Sequence, residues 1–141
     1  MTAEVEKLVA AGDLAAAARV LGHPFEVEGV VVEGDRRGKA LGFPTANLDV
    51  PGGQLLPPKG IYAGAALGHR AAISIGVNPH YGGTALRVEA HLLDFDGDLY
   101  GRRLVVELWK KLRDERAFAS EADLVDAIAA DVEATRRAVR P

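Results

Sequence analysis

Apolar residues recur every three to four positions at the start of this chain and every second position from Phe25 onward. Val5, Leu8 and Val9 form one helical stripe. Gly12-Asp13 interrupts it, with Asp13 placed to cap a second helix. Leu14, Ala17, Ala18 and Leu21 continue the helical period until Gly22 and Pro24 stop it. Two short helices are therefore expected within residues 4–21. From Phe25 the period changes, and Val27, Gly29 and Val31 alternate with Glu26, Glu28 and Val30 as in a strand. Further strands are predicted at Ile61–Leu67 and Ala71–Val77, around a turn at Gly68-His69. Another is predicted at Leu104–Trp109, after a turn at Asp96-Gly97-Asp98. Alternation is clearest over 86–92. There Leu86, Val88, Ala90 and Leu92 share one face, and Arg87, Glu89 and His91 the other. Loops are read at 34–39, between Pro51 and Pro58, and over 78–84. Near the end, Ser120 followed by Asp123 predicts a capped helix whose buried stripe is Leu124, Ile128 and Val132.

Five or six short strands between glycine-rich turns, with helices only at the ends, predict a mainly β fold, a small antiparallel barrel. Residues 1–24 read as a helical lead-in and 25–141 as the barrel with its closing helix, a single domain overall. At 141 residues, 48% hydrophobic and 26% charged, the composition is that of a water-soluble domain able to bury a core. The net charge of −3 carries no basic footprint for nucleic acid. Cysteine is absent, which excludes disulfides, thiolate metal sites and a cysteine nucleophile. No basic-then-apolar leader is visible, and no apolar run reaches the roughly 20 residues of a membrane span. A cytoplasmic protein without membrane contact is the expectation.

Two common chemistries are excluded by spacing. Gly34-x-x-x-Gly38-Lys39-Ala40 is one residue short of a P-loop, and Ala40 stands where Ser or Thr would reach magnesium. It lies between strands, so a helix N-terminus is not available to it. As a flexible basic loop able to fold over phosphates it remains a candidate, beside an ordinary hairpin loop. The histidines at 23, 69, 80 and 91 lack zinc-site spacing, and no G-x-S-x-G elbow is present.

The run from Gly34 to Leu48, centred on Leu41-Gly42-Phe43-Pro44-Thr45-Ala46-Asn47, resembles the signature of ATP-dependent riboflavin kinases. Further matches follow in that family's order. They are Gly60-Ile61-Tyr62, Ser74-Ile75-Gly76-Val77-Asn78-Pro79, Val88-Glu89-Ala90-His91-Leu92-Leu93-Asp94-Phe95, Asp98-Leu99-Tyr100-Gly101 and Leu112-Arg113-x-Glu115-x-x-Phe118. The lead-in also resembles the segment that precedes this domain in bacterial bifunctional FAD synthetases. In all, the resemblance covers about residues 4–139. It implies a closed six-stranded barrel of Greek-key type and the phosphorylation of riboflavin to FMN by ATP with Mg²⁺. A monomer is expected. His80-Tyr81 departs from the Thr-Phe more usual in bacterial relatives.

By the same resemblance, Thr45 and Asn47 are the magnesium ligands; in an extended segment residues two apart point the same way. Their alternative role is satisfying a turn after Pro44. Glu89 is the implied general base, since a primary alcohol needs a carboxylate to take its proton as the phosphoryl group moves. His91, on the same face, is a possible partner. Gly34, Gly38 and Lys39, with Asn78 and Pro79 facing them, belong to the ATP loops together with Thr45 and Asn47. Arg113 is placed near the flavin, where its guanidinium can stack on or bond to the ring; a surface arginine in the charged run Lys110–Arg116 is the alternative. Leu104, Val106, Leu112 and Phe118 suit either an apolar flavin wall or barrel core. The rival function is a flavin- or nucleotide-binding module without turnover.

Overall fold

Thr2 and Asp13 start the first two helices by capping them. The Thr2 hydroxyl accepts from the Val5 amide at 3.3 Å, and Asp13 Oδ1 accepts from the Ala16 amide at 3.1 Å. The computed structural model describes residues 2–33, 44–77 and 86–141. Its helices are α1 (Ala3–Ala10), α2 (Leu14–Leu21) and α3 (Glu121–Arg137). Six strands lie between α2 and α3: β1 (Phe25–Val32), β2 (Ala46–Asp49), β3 (Gly60–Ala66), β4 (His69–Val77), β5 (Leu86–Leu92) and β6 (Arg103–Arg113). They close into one barrel in the order β1-β2-β5-β4-β3-β6, each neighbour antiparallel. The closed six-stranded barrel matches the expectation, and pairing of β2 with β5 rather than β3 separates it from a simple meander.

Alternation decides which side chains fill the barrel. Phe25, Val27, Leu48, Tyr62, Ile73, Ile75, Val88, Ala90, Leu104, Val106 and Leu108 form one buried cluster, and Val5, Val9, Leu14 and Ala17 of the first two helices join it. Leu104 and Val106 thus belong to the core, the second of the two roles the sequence allowed them. Tyr62 is fully buried, and its hydroxyl donates to the Pro58 carbonyl. Burial, with a smaller push from Asp114, raises its phenol to about 12. Closure also brings backbones into close approach. A Cβ on Gly64 would stand 1.8 Å from the Glu107 carbonyl oxygen, beside an irregularity in the β3–β6 pairing. Only glycine fits there.

Some boundaries differ from the sequence pattern. The β3–β4 turn falls at Leu67-Gly68, and His69 already begins β4. β6 runs four residues past Trp109, because Ile61, Tyr62 and Ala63 of β3 continue to pair with Arg113, Lys111 and Lys110. The larger difference lies in α3. Its buried positions are Ala127, Asp131 and Thr135; Leu124, Ile128 and Val132 are only half-buried. Polar contacts hold this helix to the barrel. Arg136 makes a two-pronged bond to Asp94 at 2.8 and 3.0 Å, and Arg70 donates to the Thr135 and Ala138 carbonyls. Beyond the helix, Arg140 grips Glu107 at 3.0 Å through both carboxylate oxygens.

Candidate active site

β2 and β5 bring the chemistry together. Ala46 pairs with Ala90 and Leu48 with Val88, and all four side chains are buried. Alternation therefore turns their neighbours outward, and Asn47 stands directly opposite Glu89. Thr45, one residue before β2, shares the parity of Asn47. On its other side Glu89 pairs with Ser74 of β4. The three residues expected to perform phosphoryl transfer are thus neighbours on one outer face.

Two cavities border this part of the barrel. The larger, about 940 Å³, is lined by Thr45, Ser74, Arg87, Glu89 and His91 on the barrel side. Arg113, Glu115, Phe118, Leu124, Ile128 and Asp131 form its opposite wall. The smaller, about 590 Å³, is lined by Pro44, Thr45, Asn47, Asp96, Asp98 and Tyr100 among others. Thr45 borders both. Leu124 and Ile128 are half-exposed because they face the larger cavity, which explains why the expected buried stripe of α3 is not its most buried one.

Electrostatics around Glu89 are organised by Arg87, two residues along β5 on the same face. Its Nε lies 3.4 Å from Glu89 Oε1, and its Nη2 lies 3.8 Å from Glu115 Oε1. Ser74 Oγ completes the group with a 3.5 Å bond to Glu115. Glu115 packs onto Gly76, where a Cβ would come within 2.3 Å of its Oε1. Burial, with a smaller contribution from Arg136, holds the His91 imidazole below its usual pKa and so uncharged at neutral pH.

On the opposite wall Arg113 binds Asp131 through a fork, Nε to Oδ1 at 2.9 Å and Nη2 to Oδ2 at 2.8 Å. The Arg113 guanidinium lies 5.7 Å from the centre of the Phe118 ring, and that of Arg116 lies 5.0 Å from it. Arg113 and Phe118 line the larger cavity, whereas Leu112 is half-buried outside its lining. Gly34, Gly38, Lys39, Asn78 and Pro79 lie outside the described residues. Sequence reasoning gave no role to Arg87, Glu115 or Asp131. Arg87 and Glu115 were visible as charges flanking the motif residues. Asp131 had one signal, a carboxylate between Ala127 and Thr135 at helical spacing.

Among the described residues no three His, Cys, Asp or Glu side chains cluster as a metal site. The donors at the shared wall are a hydroxyl and a carboxamide. Two neutral hard oxygens suit Mg²⁺, which binds proteins through few ligands and completes its shell with phosphate oxygens and water. The donor set fits that ion.

The family model described as Flavokinase, riboflavin kinase, matches residues 21–139. The bifunctional riboflavin kinase/FMN adenylyltransferase of Escherichia coli K12 is 44% identical over 132 residues, covering 90% of this chain and 42% of that protein. Its counterpart in Pseudomonas fluorescens is 40% identical over 143 residues, covering 98% and 46%. The chain thus spans less than half the length of these curated relatives. Among solved structures, riboflavin kinase from Trypanosoma brucei superposes with a TM-score of 0.63 at 29% identity, over 81% of this chain and 78% of that one. A Streptococcus pneumoniae structure named as a macrolide-efflux protein superposes with a TM-score of 0.90 at 32% identity, over 99% of this chain and 47% of that one. Its name stands apart from the other three, while its fold agrees with that of this chain. In this chain no described helix is long and apolar enough to cross a membrane. Signature, barrel and family match converge, and the chain belongs to the riboflavin kinase family.

Proposed function

We propose that this chain transfers the γ-phosphoryl group of ATP to the ribityl 5′-hydroxyl of riboflavin, giving FMN and ADP. The observation that carries this reading is the cross-strand pairing of Asn47 and Glu89, each lining a different one of two cavities that both reach Thr45. ATP takes the smaller cavity, with its phosphates toward Thr45 and Asn47. Riboflavin takes the larger, with its ribityl chain toward Glu89. Phosphoryl transfer asks a protein mainly for alignment and for charge stabilisation, so a wall where the two substrates meet is the required geometry.

Thr45 Oγ1 and Asn47 Oδ1 would hold Mg²⁺, which when bound neutralises charge on the transferring phosphate. Glu89 accepts the hydroxyl proton as the oxygen attacks phosphorus, and the β–γ bridging oxygen leaves with ADP. Arg87 holds the Glu89 carboxylate in place before the substrate arrives. Phe118, Leu124 and Ile128 supply apolar surface for the isoalloxazine, and Arg113 supplies hydrogen-bond donors.

The test is incubation of the purified protein with riboflavin and Mg-ATP, followed by chromatographic separation of FMN from riboflavin. FMN formed in step with ADP supports the assignment. Riboflavin that binds and is never converted would assign a binding module instead.

A further inference from the structure

Asp131 has no part in the chemistry above, yet among the described residues it is the buried charged side chain, 7% exposed in the middle of α3. A lone buried carboxylate is costly, and here Arg113 compensates it through the two-pronged bond. Exchanging a buried ion pair for apolar residues is often neutral or stabilising, so stability alone does not account for the pair. The position of Arg113 does. Asp131 takes the Nε edge of its guanidinium, and Nη1 donates to the Asp114 carbonyl at 3.1 Å. The group also lies against Phe118. Three of five N–H donors are engaged, the plane is set, and both partners line the larger cavity. An unrestrained arginine surrenders rotamer freedom when a ligand immobilises it. This one is already immobilised.

We infer that Asp131 is a positioning residue for the acceptor substrate: it orients Arg113 so that the remaining guanidinium N–H groups meet the carbonyl oxygens of the flavin ring, and so sets flavin affinity without touching phosphoryl transfer. The inference rests on the assignment of the larger cavity to riboflavin.

The experiment compares wild type with Asp131→Asn, Asp131→Glu, Arg113→Gln and the double variant Arg113→Gln/Asp131→Asn. Flavin fluorescence quenching gives riboflavin Kd, and steady-state kinetics give both KM values and kcat. Asp131→Asn is expected to raise riboflavin Kd and KM roughly tenfold, the usual scale for a charged hydrogen bond. Its kcat and its KM for Mg-ATP stay within about twofold, a split that a loosened fold would not produce. Asp131→Glu recovers part of the affinity. The double variant binds no more weakly than Arg113→Gln, because one residue acts through the other. Unchanged riboflavin KM, losses shared equally by both substrates, or additive losses in the double variant would each overturn the role. Should Asp131→Asn not fold, Asp131→Glu, which keeps the charge and shifts the carboxylate, must show a smaller rise confined to riboflavin KM. If the wild type itself neither binds nor phosphorylates riboflavin, the functional assignment fails and this inference with it. If the wild type does both and the variants match it, only the role of Asp131 fails.

Discussion

Asn47 and Glu89 are cross-strand partners whose side chains line different cavities, Asn47 the smaller and Glu89 the larger. One β-pair therefore places a carboxamide and a carboxylate on adjacent strands, and the two can be removed separately.

Replacing Glu89 with Gln keeps the shape and removes the proton acceptor. Turnover should fall by roughly two to four powers of ten while riboflavin affinity stays near its wild-type value. Rapid-quench measurement of FMN formation checks the first point and fluorescence quenching the second. Near-normal turnover would take the proton-accepting role from Glu89.

Asn47→Ala acts on the other cavity. KM for Mg-ATP should rise and its magnesium dependence shift to higher concentration, with riboflavin affinity little changed. A variant that weakened flavin binding alone would contradict the metal assignment.

Gly64 and Gly76 both lack room for a Cβ, but for different reasons. At Gly64 the obstacle is the Glu107 backbone carbonyl, which the barrel cannot move; at Gly76 it is the far end of the Glu115 side chain, which can swing away. Gly64→Ala should cost more than about 3 kcal/mol in denaturant unfolding, and Gly76→Ala less than about 1 kcal/mol. Equal losses would show that the two approaches are alike.

Acid should release the C-terminal tail. Glu107 is held below its usual 4.5 chiefly by the Arg140 hydrogen bond, and burial opposes the shift. A depressed carboxylate contributes stability that is complete above the unfolded-state value and is lost as pH falls through the folded-state value. The loss therefore begins below about pH 4.5. Trp109, the sole tryptophan, donates to the same carboxylate at 2.8 Å, so its emission reports the event. Glu107→Gln should abolish that titration. An unaltered titration would mean that another group drives it.

Local signals carried most of the fold. Asp13 and Ser120 cap the helices that their positions predict, and the parity of residues 86–92 puts Glu89 on the outer face, where it lies. What remained hidden depends on distant partners. Alternation separates Leu104 and Val106 from their neighbours, but core and cavity wall look the same within one strand. The length of β6 follows from β3, about 50 residues earlier in the chain. The burial of Asp131 requires Arg113, 18 positions before it. A helix pattern that expects an apolar stripe has no means of announcing a carboxylate that completes its charge elsewhere.

Because Asn47 and Glu89 form one β2–β5 pair and Thr45 borders both cavities, the proposed assignment puts donor and acceptor in neighbouring compartments that meet at Thr45. On that assignment a substitution at Thr45 would disturb both compartments at once, whereas one at Asn47 or Glu89 would disturb a single one.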